Sequence, residues 1–450
     1  MRIQIVALSL VAALGSAAFA ADRRVGAGQT YAKIQEAVDA AQPGDRIVVA
    51  RGTYAENVSV RKDKLQFVAA KGVVWDGTVG AASGVCLDVR ASAVLVQGFA
   101  FRGGMHHVMS AGPDMRIVKC TSSGAEGQGF TIWGTHGTVE SCTVTGAGSL
   151  GIYVEGDDAT VRANRVSGVL GFGVYAWGAR ATVDRNVVRN TDGTQIVMLS
   201  DAAKATRNDC SVSSTLGIQV TGLDAVVQSN RVSYAGTVGI LMESSGGSLI
   251  GNTVSHTKYS GVRARGDRIV VSRNRVEMTG DLLAAILVTS LTSEGGGVVE
   301  GNQASDAQSY GFMAETKGVT LRDNTALRCG TGNESGFLVY GNSNSLSGNK
   351  AQDGGGAGYV VWGDENKLSK CSATLNVRNG FLIYSGANNE VTACTASAND
   401  GDGLQNLASA TDVVGGTFSG NRIDVTNAGT FDVYKGVKAA TGGTTTQPEL

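Results

Sequence analysis

The sequence predicts an all-β chain wound as a single-stranded parallel β-helix, a three-sided solenoid of about fifteen coils with a short N-terminal capping helix. Three observations carry this prediction. A Gly followed by an apolar residue recurs every 22 residues at Gly129, Gly151, Gly173, Gly217, Gly239 and Gly261, with Gln195 on the missing beat. The signal returns at Gly311, Gly336, Gly358, Gly380 and Gly403. A second marker keeps phase with it, at Asn164, Asn186, Asn208, Asn230, Asn252, Asn274, Asn302, Asn324 and Asn349, and cysteine takes that place at Cys120, Cys142, Cys371 and Cys394. Finally, apolar residues hold further columns, such as Val139, Val161 and Val183, then Val144, Val166 and Val188. Each period thus holds three short apolar alternations, which read as strands. Strands that pair in parallel with those one period away make a coil with three faces.

Along the chain, residues 1–20 read as a secretory signal. Arg2 precedes an apolar run from Ile3 to Leu14, and Ala18-Phe19-Ala20 is a small-x-small cleavage site,. Cleavage after Ala20 would make the mature protein secreted or periplasmic, and the run is too short to span a membrane. Residues 21–80 are expected to be an N-terminal cap with leading strands. Thr30 would cap a helix from Tyr31 to Ala41, with Ile34, Val38 and Ala41 on one face and Pro43-Gly44 at its end. Such a lid covers strand edges that an open β-helix end would expose. Residues 81–421 are the coils proper. Their Asn column suits tight corners and a ladder of side-chain amides. Phe312, Phe337, Tyr359 and Phe381 each follow a beat and should stack. Residues 422–450 are read as a C-terminal cap and polar tail.

A net charge of −1 with 17% charged residues gives no argument for nucleic acid, and no later segment is apolar enough to cross a bilayer,. Seven cysteines are an odd number for a secreted protein,. Cys120 with Cys142, and Cys371 with Cys394, lie one coil apart, within reach of a disulfide or as stacked buried thiols. No CxxC-type metal spacing occurs. Asp157, Asp158, Asp201, Asp224 and Asp267 fall in turns without converging, so a Ca²⁺ site is left open and unsupported. His106, His107, His136 and His256 read as surface or turn histidines.

With these columns the chain resembles the right-handed parallel β-helix superfamily of pectate lyases and pectinesterases. The segment from Tyr31-Ala-Lys-Ile-Gln-Glu-Ala-Val through Gly52-Thr-Tyr-Ala-Glu-Asn is also similar to that of periplasmic copper-site-assembly β-helix proteins. The resemblance runs from about Gln29 to Gly420 and implies right-handed winding, while many chemistries share this scaffold. No counterpart of the pectinesterase catalytic segments follows, so Gly52, Tyr54 and Glu56 read as cap architecture. In the resembling lyases the substrate groove lies along the face of the first strand.

Strand alternation identifies the outward residues of that first strand. Trp133, Tyr153, Glu155, Tyr175 and Trp177 cluster on three coils, with His136 in a neighbouring turn. Aromatic faces beside hydrogen-bonding groups suit sugar rings, which marks these five as candidate glycan-binding residues. Leu338, Tyr340, Val360, Trp362, Leu382 and Tyr384 form a more apolar strip. Such a strip fits a protein partner, a second copy, or cover by the chain's own Phe431, Val433 and Tyr434. Between the clusters stand Glu243, Arg263 and Arg265, flanked by the longest turns. These three are the candidate catalytic residues: a basic group there would neutralise a uronate carboxylate or take the adjacent proton. The alternative for Glu243 and Arg265 is a plain surface ion pair.

The functional expectation is a protein that binds an extended, acidic polysaccharide along its first-strand face, with lyase or epimerase chemistry the reaction in view. The alternatives are a structural or adhesion protein, and a periplasmic accessory protein. The last lacks an outward cluster of His, Met and Cys ligands.

Overall fold

Alternating inward apolar and outward polar residues build three strands per coil, and each strand pairs in register with its equivalent one coil on. Phe130, Ile152 and Val174 align on the first face, Val139, Val161 and Val183 on the second, and Val144, Val166 and Val188 on the third. The computed structural model describes residues 20–78, 84–292, 294–430 and 432–439. In it the chain is a right-handed parallel β-helix. Its first-strand ladder runs from Val58–Val60 to Ile423–Asn427, the second from Asp22–Val25 to Val433–Lys435, and the third from Gly52–Tyr54 to Lys438–Ala439. The second face holds 19 strands, so the rod has more coils than the fifteen expected. The extra ones lie outside the Gly and Asn markers, where apolar alternation alone maintains the winding. At the parallel strand spacing the rod is about 90 Å long.

The core is one continuous column of inward side chains. Phe312, Phe337, Tyr359 and Phe381 stack as expected, with centroids 4.8, 4.8 and 4.7 Å apart. The Gly beat reflects crowding: a Cβ at Gly151 would lie 2.5 Å from the Gly173 carbonyl oxygen and 2.7 Å from Val166 Cγ1. The Asn column forms a buried ladder. Each backbone N–H and side-chain amide donates to the next Asn Oδ1, as Asn186 does to Asn208 at 2.9 and 3.1 Å, and the amide also reaches a carbonyl of the preceding turn.

Several expectations are corrected. The helix is Ile34–Ala40, shorter than Tyr31–Ala41, and Lys33, not Thr30, is its N-cap residue. Its first N–H groups, at Ile34 and Gln35, donate to Glu56 at 2.8 and 3.1 Å, and Lys62 Nζ donates to the carbonyls of Val38, Asp39 and Ala41 at the other end. A carboxylate at one terminus and an ammonium at the other match the helix dipole, so neighbouring coils add caps to the local one, in which Glu36 accepts from the Lys33 N–H at 3.3 Å,. All seven cysteines are free and buried, so the stacked-thiol alternative holds for both pairs. His107 is not a surface histidine; it lies wholly inside. The secretory signal and Phe431 lie outside the described residues. Among those described, no helix is long and apolar enough to cross a membrane.

Candidate functional site

Five consecutive coils near the C-terminal end expose Met313, Leu338, Val360, Leu382 and Gln405 in one column of the first-strand face. Two residues further along three of these strands stand Tyr340, Trp362 and Tyr384. Tyr340 is tilted against Trp362 at 6.2 Å, while Trp362 stacks on Tyr384 at 4.0 Å and 16°. A register shift at Val361/Trp362 sets Trp362 opposite Ser385 and lets the two rings approach more closely than the strand spacing,. On the other side of the column, turns entering the first strand carry Asn333, Val377, Arg378, Asn379 and Asp400. Apolar floor, aromatic wall and polar wall together enclose a groove of about 850 Å³, within the size range of ligand sites.

Both walls are backed by asparagine ladders that the 22-residue marker does not include. Asn344, Asn366 and Asn389 follow the aromatic wall, each backbone N–H donating to the next Oδ1 at 3.0 Å. Asn376, Asn399 and Asn421 underlie the polar wall with bonds of 3.0 and 3.1 Å. Turns pinned this way hold their side chains on a rigid frame.

Charges in the groove are unevenly paired. Arg422 donates to Asp402 at 2.9 Å. Asn379 Nδ2 donates to Gln405 Oε1 at 2.8 Å, and Asn379 Oδ1 accepts the Asp402 N–H at 2.9 Å. Burial and the nearby Glu334 carboxylate raise the Tyr310 phenol above its ordinary value. The exposed side chains of Glu315, Arg378 and Asp400 make no hydrogen bond or ion pair among the described residues. Glu315 and Asp400 lie four coils apart, about 19 Å along the rod, well beyond the roughly 5 to 9.5 Å of a glycosidase carboxylate pair.

The candidate glycan-binding residues do come together. Trp133, Glu155 and Trp177 share one column, beside Tyr153 and Tyr175. Tyr153 and Tyr175 stack at 5.4 Å, Trp133 meets Tyr153 edge-on at 6.3 Å, and Phe172 adds a second neighbour to Tyr175. The Tyr153 hydroxyl donates to Glu155 at 2.6 Å, and burial with this contact raises its pKa. Trp177 is 52% exposed and stacks on no other ring among the described residues. His136 stands apart, bonded to Asp114 at 3.1 Å.

Of the candidate catalytic residues, Arg265 forms an ion pair with Glu243 one coil below. Arg263 lies between Leu241 and Leu287 in the neighbouring column, and its Nε is buried without a hydrogen-bond partner. The turn aspartates are engaged across coils: Asp157 accepts from Ala179 N–H and Asp201 from Leu223 N–H, while Asp158 pairs with Arg180. Asp267 accepts from Thr292 Oγ1 and the Gly295 N–H.

The described C-terminal residues 432–439 do not cover the apolar strip, because Val433–Lys435 pairs with Asp412–Val414 on the second face. Tyr340 and Tyr384 are left 58% and 43% exposed. The aromatic wall was legible in the strand alternation. The polar wall was not, although Asn376, Asn399 and Asn421 repeat at the same spacing and would have marked that turn.

Among curated protein sequences none matches this chain. Solved structures that resemble it include DFA-IIIase from Arthrobacter chlorophenolicus A6 in complex with DFA-III, at 13% identity over 69% of this chain and 95% of that one, TM-score 0.42. Others are the catalytic domain of a GH87 alpha-1,3-glucanase (14%, 75% and 65%, 0.41) and the PL6 family polysaccharide lyase Pedsa3628 from Pseudopedobacter saltans (12%, 70% and 84%, 0.42). At such identities and scores these likenesses carry no argument about what the chain binds. The profile of one family, described as right handed beta helix region, matches residues 78–212, 128–276, 216–367 and 331–447, overlapping stretches that take in most of the chain. With that match and the three parallel ladders, the chain belongs to the right-handed beta helix region family.

Proposed function

We propose that this protein binds an extended polysaccharide along its first-strand face, with the groove between Tyr340–Trp362–Tyr384 and Arg378–Asn379–Asp400 as the principal contact. The observation that supports this reading is the groove itself. Its floor runs along the rod axis on five coils, one wall is aromatic and the other presents amides and charges. Apolar C–H faces of sugar rings suit the floor and the free faces of the aromatic wall, and hydroxyls suit the polar one. The patch of Trp133, Tyr153, Glu155, Tyr175 and Trp177 is proposed as a second contact on the same track.

The proposal is one of binding. Arg265 is held by Glu243, and a guanidinium stays protonated in a protein. Glu243, Arg263 and Arg265 therefore enter as polar contacts between the two aromatic stretches. A purely hydrophobic protein interface through Leu338, Val360 and Leu382 would account for the floor but leaves the polar wall without a role.

Titration calorimetry of the mature protein against a panel of polysaccharides tests the reading. Trp362→Ala with Tyr384→Ala is expected to weaken binding about tenfold or more while thermal unfolding stays within a few degrees. Equal binding by the double variant, or no binding to any glycan, would remove it.

A further inference from the structure

We infer that the groove accepts an uncharged glycan and discriminates against polyuronates. This rests on the binding reading above and adds the substrate class, reversing the acidic expectation drawn from the sequence. Arg422 is already neutralised by Asp402 at 2.9 Å, which leaves Arg378 as the unpaired cation of the lining. Against it stand Glu315 and Asp400, both solvent-facing and unpaired, and Glu334, close enough to Tyr310 to act on its phenol. A polyuronate brings a carboxylate on every ring. Laid over five coils, it would set several fixed negative charges among the two unpaired carboxylates of the lining and one free guanidinium, with Glu334 nearby beside Tyr310,.

Shape agrees with a single glycan strand. Five coils span about 19 Å between the first and last, so a groove of about 850 Å³ has a mean cross-section of about 45 Å², enough for one chain of rings in single file. The hydroxyls of a neutral sugar find the Gln405 amide, whose Oε1 is taken by Asn379 while its N–H groups are bonded to no protein group among the described residues. A peptide along the same path would find no backbone partners, because the N–H and C=O groups of these strands are consumed coil to coil,.

The test uses matched ligands: polygalacturonate, polymannuronate and polyguluronate, each beside the same polymer after carboxyl reduction, with a neutral glucan added. Titration calorimetry of the full mature chain is expected to show a reduced polymer or the glucan binding about tenfold or more tighter than any uronate, with the gap narrowing at high salt. Glu315→Gln combined with Asp400→Asn is expected to raise uronate binding toward that of its neutral partner. If the uronate binds as tightly as its reduced form, or more tightly, the charge argument is overturned while the binding site stands. If no polymer of either kind binds, the polysaccharide reading fails and the inference falls with it.

Discussion

His107 occupies the column that the repeat mostly gives to glycine, in register with Gly129. Its Nε2 faces the Gly103 carbonyl oxygen at 2.9 Å, which can only accept, so Nε2 carries the proton and Nδ1 accepts from the Ser122 hydroxyl at 2.7 Å. The ring also lies against Phe101. Burial holds its pKa down to about 4, from an ordinary 6.5. The unfolded chain thus binds the proton more readily than the fold does. Stability from this group is complete above 6.5 and is lost as the pH falls from there toward 4, on the order of 3 kcal/mol in all. Urea unfolding of the wild type and His107→Gln on both sides of that window checks this: the variant should lose much of the acid sensitivity, and an unchanged pH slope would contradict it. Position 107 is one period before Gly129, so the column was present in the sequence. What hid it was residue type, because a histidine reads as polar until both ring nitrogens are seen to be satisfied inside.

At the scale of an element, the asparagine ladders bear the corners. Asn208 Oδ1 accepts from the N–H and the amide of Asn186, and its own amide donates to the Val183 carbonyl and to Asn230. Asn208→Ala leaves a buried backbone N–H of Asn186 without an acceptor, an expected cost of about 1 to 3 kcal/mol. A urea midpoint that does not move would show water or a shifted turn taking over. The main ladder was legible because nine asparagines keep phase with the glycine beat. The two ladders behind the groove walls run through three asparagines each and begin only at Asn344 and Asn376. The capping helix shows the same limit. Its N-terminal N–H groups are met by Glu56, 22 and 21 residues away in sequence, a partner that no local capping rule reveals.

For the whole molecule, seven cysteines from Cys86 to Cys394 all face the interior and none is bridged. Burial raises the Cys86 thiol to about 12 and that of Cys329 to about 11, so these two stay thiols at neutral pH, and burial denies reagents access to all seven,. A thiol reagent should count none in the native protein and seven after denaturation without reductant, and reductant should leave the thermal midpoint unchanged; a smaller count would reveal a bridge. The rod's stability therefore comes from stacked coils and not from covalent links. By itself the sequence determined the winding, the inward columns, the outward aromatic stripes and the main ladder, because a period of 22 residues repeats one local environment along the chain. Only the tertiary structure decided which outward residues stand free and which are matched. The ion pair of Glu243 with Arg265, the bond of Arg422 to Asp402 and the open strip beside Tyr340 depend on side chains from different coils meeting across one or two strand spacings. So does the groove, because its polar wall rises from turns whose composition varies coil by coil while the strands beneath them stay in register.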